Sequence, residues 1–410
     1  VKFVNLSPTP VLLHWDGKGG NTDSSKLIGE IAPYESVGTA TTPGQSFYVS
    51  PILDGSQVLK RWVLTEDEAL VLYDPHNQID ATTPQGEVQQ QPPPQLSPEH
   101  SLKYQMQMLN WKYAEEYLIK TGRTWLGTFP RPSMTHHMHN ADYFGKLQTI
   151  ATTHLHYTEQ QQNEGEEEED NPVLELQLKT VSVTPRVFTI DNFLSTQERK
   201  HLVQLAQAQG MEQSTVHGSS SSRTTDDTND DGTTTNTNAM KDVKTRSSTT
   251  TWIERRASEV VNGIYQRAAD VFQIDESLLR HRSEEHTTLA THNSIAESLQ
   301  LVRYRKNQEY TPHHDFVYPR VTNRYQPTRY ATLLLYLNDN FEGGETTFPR
   351  ATNGEYHDGI KIQPKAGTAV LFYNMLPDGN VDDLSQHGGA KVVNGTKWIA
   401  NLWVWDPIID

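Results

Sequence analysis

The distribution of apolar and polar positions divides the 410-residue chain into three stretches. In residues 1–75, short apolar runs at Val1 to Asn5, Val11 to Trp15, Ser46 to Val49 and Val58 to Val63 are separated by turn formers such as Asp16-Gly17-Lys18-Gly19-Gly20 and Pro43-Gly44. That punctuation predicts a small all-β module. Residues 76–180 are polar over long tracts, with Gln89 to Pro94 reading as a semi-extended linker and Glu164 to Asp170 as a solvated acidic one. One helix interrupts them. Ser97, followed by Pro98 and Glu99, starts a segment whose stripe of Leu102, Met106, Leu109, Tyr113 and Tyr117 is expected to pack on a neighbouring unit. The aromatic run Trp125 to Pro132 is expected to dock as well.

Residues 181–410 are patterned as a larger folded unit. Ser195-x-x-Glu198 is a capping-box sequence that predicts a helix through about Gln209, burying Leu202, Leu205 and Ala206. A Ser/Thr/Asp-rich loop spans 214–250. A second helix is predicted from Thr251 to Phe272, with Ile253, Ala257, Val260, Ile264, Ala268 and Val271 on one stripe. Strand-like runs follow at Leu299 to Tyr304, Ala331 to Leu337, Gly359 to Ile362, Ala369 to Tyr373 and Trp398 to Trp405. Asn394-Gly395 is a hairpin signal that would set the Lys397 strand beside the one following His387.

Composition changes this picture by exclusion. A formal charge of −16 argues against nucleic acid or an anionic membrane as partner, because both require clustered Lys and Arg. The chain has no cysteine, which removes disulfides, thiolate metal sites, iron–sulfur clusters and a cysteine nucleophile. No run reaches the roughly 18 apolar residues of a membrane span. The opening at Val1, with glycosylation patterns at Asn5-Leu6-Ser7 and Asn394-Gly395-Thr396, favours a secretory lumen (endoplasmic reticulum or Golgi) over the cytoplasm as the expected location.

The candidate chemistry centres on Thr311-Pro312-His313-His314-Asp315. If this stretch is a strand, His313 and Asp315 share a face and His314 takes the other. With His387 as a third donor, two imidazoles and a carboxylate form the facial set of non-haem Fe(II) oxygenases, which leaves coordination positions open. Lys397, ten positions after His387, would need an anionic partner if it points into that site.

These residues stand within a longer order: Tyr304-x5-Tyr310-x2-His313-x-Asp315, Arg329-x2-Thr332, Tyr336-Leu337-Asn338, Gly343-Gly344-Glu345-Thr346-x-Phe348-Pro349, Pro364-x2-Gly367 and His387-x9-Lys397-Trp398. From about Thr184 to Asp410 the chain resembles the prolyl 4-hydroxylases of the plant and algal type. Asn307-Gln308 departs from the usual Gly-Gln, and the absence of cysteine departs from disulfide-bearing secretory members. The resemblance implies a double-stranded β-helix, a jelly-roll barrel flanked by helices, behind the N-terminal all-β module. It implies Fe(II) on His313, Asp315 and His387, chelation by 2-oxoglutarate, O2 as oxidant and ascorbate as reductant. It further implies that Lys397, Tyr304 and Thr346 hold the distal carboxylate of 2-oxoglutarate, and that Arg329, Trp398 and Arg246 lie along a proline-rich peptide hydroxylated at C4.

Two weaker features complete the reading. Phe3-x-Asn5-x-Ser7-Pro8, Val11, Trp15 and Gly44-x2-Phe47 are similar to the β domain of the von Hippel-Lindau protein, which would make Trp15 and Phe47 an aromatic platform for hydroxyproline. A hydroxyproline- or proline-rich-peptide-binding protein with an idle barrel, or a hydroxylase of another residue type, is therefore the alternative to an active peptidyl-proline hydroxylase. His136, His137, His139, His154 and His156 recur without a carboxylate or cysteine at ligand spacing, which suits a polar histidine-rich loop better than a second metal site.

Overall fold

Two β-sheets of unequal size face each other in the computed structural model, which describes residues 1–18, 25–39, 41, 43–55, 57–65, 70–75, 96–127, 135–157, 172–214, 247–280, 294–316, 328–352 and 359–406. The N-terminal strands are β1 (Lys2–Asn5), β2 (Val11–Lys18), β3 (Lys26–Ile31), β4 (Ser36–Gly38), β5 (Gln45–Pro51), β6 (Lys60–Val63) and β7 (Leu70–Tyr73). They form a three-stranded sheet, β4-β1-β7, and a four-stranded sheet, β3-β2-β5-β6, over a core of Phe3, Val11, Leu13, Phe47, Val49 and Val71. Phe47 is thus a core residue, and the Trp15 indole donates to Gln45 Oε1 (2.8 Å) while packing on the same core. The two rings do not make the expected platform, because alternation along β5 turns Phe47 inward.

Helix α1 (Pro98–Thr121) has the predicted cap, with the Ser97 side chain accepting from His100 N. Its buried face agrees with the expected stripe only at the C-terminal end, where Tyr117 is buried and Tyr113 packs beside it: Gln107, Asn110 and Ala114 are also buried, whereas Leu102 and Leu109 are 59% and 55% exposed. The helix docks partly through polar contact, Gln107 Nε2 donating to Tyr34 O (3.2 Å), so hydrophobicity alone misjudges its rotation.

The remaining elements are β8 (Leu147–Thr152), β9 (Leu174–Ser182), β10 (Val187–Ile190), α2 (Thr196–Gln209), β11 (Glu212–Gln213), β12 (Thr249–Ile253), α3 (Glu259–Phe272), β13 (Leu299–Arg305), β14 (Tyr310–His313), β15 (Arg329–Tyr336), β16 (Glu342–Gly343), β17 (Thr346–Phe348), β18 (Ile360–Ile362), β19 (Ala369–Tyr373), β20 (His387–Gly389), β21 (Val392–Asn394) and β22 (Thr396–Trp405). The large sheet runs β11-β12-β13-β22-β15-β19-β10-β9-β8 and the small one β14-β20-β17-β18. This is the double-stranded β-helix. One face of the large sheet carries α2 and α3 over a core that includes Leu333, Leu371, Leu402 and Val404. The other face meets the small sheet through Val302, Leu334, Phe372, Ile399 and Phe348. Being covered on both faces, the central strand β15 reads as an unbroken apolar run from Tyr330 to Tyr336 apart from Thr332.

Three expectations change. Strands β8 and β9 lie in the stretch read as linker, where they extend the large sheet. Thr249 to Ile253 is a strand rather than the start of a helix, since a β-branched run with Trp252 suits a pleated edge and Ser258 supplies the N-cap eight residues later than expected. Gly395, at φ +82°, joins β21 to β22, but β21 pairs with β16 and β22 with β13 and β15. The two flanks of the Asn394-Gly395 turn therefore part company.

The capping box of α2 forms as expected, and its Glu198 is also the partner of Arg267. Arg267 is fully buried on α3, bonded to both Glu198 oxygens and to the carbonyls of Phe193, His154 and Leu155. Arg267→Met should destabilise the protein by about 3–5 kcal/mol, because it strands a buried carboxylate. Chemical denaturation tests this, and a loss under about 1 kcal/mol would mean the backbone donors to Glu198 suffice.

Candidate metal centre and co-substrate cavity

Antiparallel pairing of β14 with β20 sets His313 directly opposite His387. That pairing brings β20 close under β14: a Cβ on Gly388 would stand 3.0 Å from Tyr310 O. Asp315 follows in the bend just after β14. The ligand atoms of His313, Asp315 and His387 all lie within 4.8 Å of one another, and among the described residues no other such cluster occurs. Nδ1 of His313 bonds Thr311 O and Nδ1 of His387 bonds Ser385 O, both at 3.0 Å. A backbone carbonyl accepts only from a protonated nitrogen, so in its neutral form each ring carries its lone pair on Nε2. The Nε2 atoms stand 3.6 Å and 3.5 Å from the Asp315 carboxylate.

Burial would raise the Asp315 carboxyl, but His387 and His313, with Arg329 behind them, hold it well below the usual carboxylate range. Burial pushes His387 down to about 4. At neutral pH the cluster is therefore an ionised carboxylate beside a neutral buried imidazole. Asp315 Oδ2 also accepts from Thr332 Oγ1 and Trp403 Nε1, each at 2.8 Å, and Asn374 Nδ2 donates to Thr332 Oγ1 (3.0 Å). This donor set fits a divalent first-row ion in the facial arrangement. His314 is turned away, its Nε2 held by Asp383 O (2.9 Å).

The cluster opens into a cavity of ≈ 300 Å³ whose lining includes Tyr304, Thr346, Ile399 and Lys397. Lys397 sits opposite Tyr304 in the β13–β22 ladder and is 2% exposed. Its ammonium donates to Gly344 O (2.6 Å) and makes no salt bridge among the described residues. Gly344 is held at φ +70°, and a Cβ there would stand 3.1 Å from Lys397 Cδ, so glycine gives the lysine its passage. Burial pushes the Lys397 ammonium down to about 7, against the opposing pull of Glu345. Thr346 is buried at the same end, accepting from Tyr336 OH (2.6 Å). A buried, incompletely neutralised cation at the closed end fits the distal carboxylate of a dicarboxylate.

Of the expected peptide contacts, Arg329 lines the cavity but is held by Glu297 (2.6 and 2.9 Å) and stacked 3.8 Å over Trp403. Trp398 is misassigned: alternation along β22 turns it into the helix-side core, where Arg303 lies over its ring. Arg246 lies outside the described residues. Missed instead were Trp403 and Trp405, with Trp252 across from them. Counting by twos from Lys397 along β22 gives 399, 401, 403 and 405, all in the cavity wall, and that count is available in the sequence. Asn307, the departure from Gly-Gln, has φ +66°, a left-handed position that Asn tolerates in glycine's place. The histidine-rich segment is structural where it is described, His139 Nε2 meeting Val271 O (2.6 Å) and His156 Nε2 meeting Asn192 O (2.9 Å).

Residues 299–405 match the family model of the 2OG-Fe(II) oxygenase superfamily. Probable prolyl 4-hydroxylase 8 of Arabidopsis thaliana is 31% identical over 265 residues, covering 62% of this chain and 79% of that protein. The chain belongs to the prolyl 4-hydroxylase family. A second Arabidopsis thaliana relative, probable prolyl 4-hydroxylase 3, is 32% identical over 55% of this chain and 71% of its own length. Among solved structures, the viral collagen prolyl hydroxylase of Paramecium bursaria Chlorella virus-1, in its 2OG complex, is 24% identical over 54% of this chain and 96% of that chain, with a TM-score of 0.37. The region of the family model contains the whole metal-competent cluster and Lys397.

Trp403→Phe keeps a ring beside Arg329 but removes one of the two side-chain donors to Asp315 Oδ2. It should weaken Co(II) or Mn(II) binding by about 10- to 100-fold, as loss of an outer-sphere partner does. Metal titration checks this, and unchanged affinity would mean that Thr332 alone orients the carboxylate.

Proposed function

We propose that this protein is a peptidyl-proline 4-hydroxylase that uses Fe(II), 2-oxoglutarate and O2, with ascorbate as reductant, on proline-rich peptides. The observation that carries the reading is the convergence of His313, Asp315 and His387 beside a cavity that ends in buried Lys397. His313, Asp315 and His387 would hold the iron, and Lys397 with Tyr304 would meet the distal carboxylate of 2-oxoglutarate. When bound, iron and 2-oxoglutarate supply the oxidising power for an unactivated C–H bond, by coupling O2 reduction to decarboxylation.

The chain's own residues do the rest. Thr332 and Trp403 keep the Asp315 carboxylate ionised and oriented, and the Thr311 and Ser385 carbonyls fix both imidazole tautomers. Val302, Leu334, Phe372 and Ile399 form the apolar packing between the sheets that keeps water from the cavity's inner wall. At the mouth, Trp252, Trp403, Trp405 and Arg329 offer flat faces that suit a polyproline II peptide, which binds with little ordering cost. The Arg329–Glu297 pair, with Trp405 Nε1 on Glu297 Oε1 (2.7 Å), is proposed to fix that wall rather than to reach for the substrate. The assembled donors and the buried cation favour the enzyme over a catalytically idle peptide binder, which needs neither.

A poly-proline peptide should stimulate succinate release and gain one oxygen at proline by mass spectrometry, and Asp315→Ala should abolish both. Turnover without peptide oxidation, or oxidation at another residue, would overturn the substrate assignment. Lys397→Ala should raise the 2-oxoglutarate requirement by at least about two orders of magnitude, from about 3 kcal/mol or more for an unpaired buried carboxylate, and weaken metal binding far less. Because an adjacent carboxylate restores the charged form of a lysine held at about 7, 2-oxoglutarate binding should take up a proton above that pH. Affinity should then fall as pH rises from 7 to 9; calorimetry in two buffers of different ionisation heat measures it, and a flat profile contradicts it.

A further inference from the structure

A segment outside residues 299–405 lies against the elements that carry the metal-competent cluster. Residues 124–127, just after α1, lie against the loop 374–386 that leads into His387. Asn380, 1% exposed, ties the two together. Its Oδ1 accepts from Leu126 N (2.8 Å) and Gly127 N (3.2 Å), and its Nδ2 donates to Thr124 O (2.7 Å). Leu126 is buried against Phe316 and Val381, and Phe316 directly follows Asp315. Arg123 adds a longer contact, 3.8 Å from buried Asp382.

From Asn380 the loop is wired onward to the ligand. Asp382 N donates to Asn374 O (2.9 Å), the Asp382 carboxylate accepts from Leu384 N (3.1 Å), and Ser385 Oγ donates to Asp382 O (2.7 Å). Ser385 O then receives His387 Nδ1. Upstream, the segment is anchored in turn. Trp125 packs edge-on against Tyr113 and Tyr117 (4.8 and 5.1 Å), with Leu70 of β7 against the same cluster, and Tyr117 OH donates to Asp378 Oδ2 (2.6 Å).

We propose that the 124–127 segment is a positioning strap for the metal site: through Asn380 it sets the loop that orients His387, and through Leu126 and Phe316 it braces Asp315. The proposal rests on the metal-centre reading above. Asn380 and Leu126 are positioning residues; neither touches substrate or ligand atoms. A direct buttress predicts that metal affinity responds to the strap more strongly than global stability does.

The test is anaerobic Co(II) titration of the full chain, followed by visible absorption, with thermal melting alongside. Asn380→Ala should weaken Co(II) by about tenfold, in the range of an outer-sphere loss, and shift the d–d bands. Asn380→Asp, which keeps the acceptor for both strap amides but loses the donor to Thr124 O, should recover only part of the affinity. Leu202→Ala, which opens a cavity under α2 away from the loop, should lower the melting temperature yet leave Co(II) affinity within about twofold. Parent-like affinity in Asn380→Ala, or an equal loss in Leu202→Ala at matched stability, would overturn the strap. If the parent and His387→Ala bind Co(II) equally, the metal-centre reading itself fails, and the strap falls with it.

Discussion

The site depends on keeping one carboxylate charged where burial would neutralise it. Asp315 is 6% exposed, and its charge survives because a hydroxyl and an indole donate to it and the Arg329 guanidinium lies behind it, while two imidazoles complete its surroundings. Those partners come from β14, β20, β15 and β22, so strands from both sheets converge on one anion. The barrel thus brings together groups far apart in the chain that no local structure could assemble. His387 stays neutral for the complementary reason: its burial outweighs the pull of Asp315 and of the Ser385 carbonyl toward the protonated ring.

The closed end of the cavity obeys the opposite rule. There a cation is buried with incomplete compensation, and burial weakens its hold on a proton. Unpaired buried charge is costly, so the arrangement makes sense as the receiving half of an ion pair. With a paired anion in one part of the cavity and an underpaired cation in another, the ammonium is the place that can receive a carboxylate.

The metal-competent cluster was legible in the sequence because His313-x-Asp315 is a short-range pattern and His387 follows at a spacing that the family resemblance makes meaningful. Lys397 was legible for the same reason. What sequence reading missed involved choice of face. Trp398 was placed along the peptide by family resemblance, although its adjacency to Lys397 on a strand puts it on the opposite side. The stripe on α1 was partly misread because its buried face includes the polar Gln107 and Asn110, the former held by a hydrogen bond rather than by apolar area. Strand β9 carries a clean alternation, Leu176 and Leu178 inward with Glu175, Gln177 and Lys179 outward, yet the neighbouring acidic run drew it into the linker. Thr249 to Ile253 lost its strand identity to the helical stripe that begins a few residues later.

Strand β22 carries an unusual share of the work on one edge of its pleat. Lys397, Ile399, Asn401, Trp403 and Trp405 all look into the cavity, while Trp398, Ala400, Leu402 and Val404 fill the helix-side core. Each position can change identity independently, but the number of residues between them cannot change. A single insertion or deletion would turn the tryptophans into the core, the core residues into the cavity, and sever the ammonium from the indole that steadies the carboxylate. Evolution of specificity in this strand is therefore confined to substitution, and length variation is left to the connections around it.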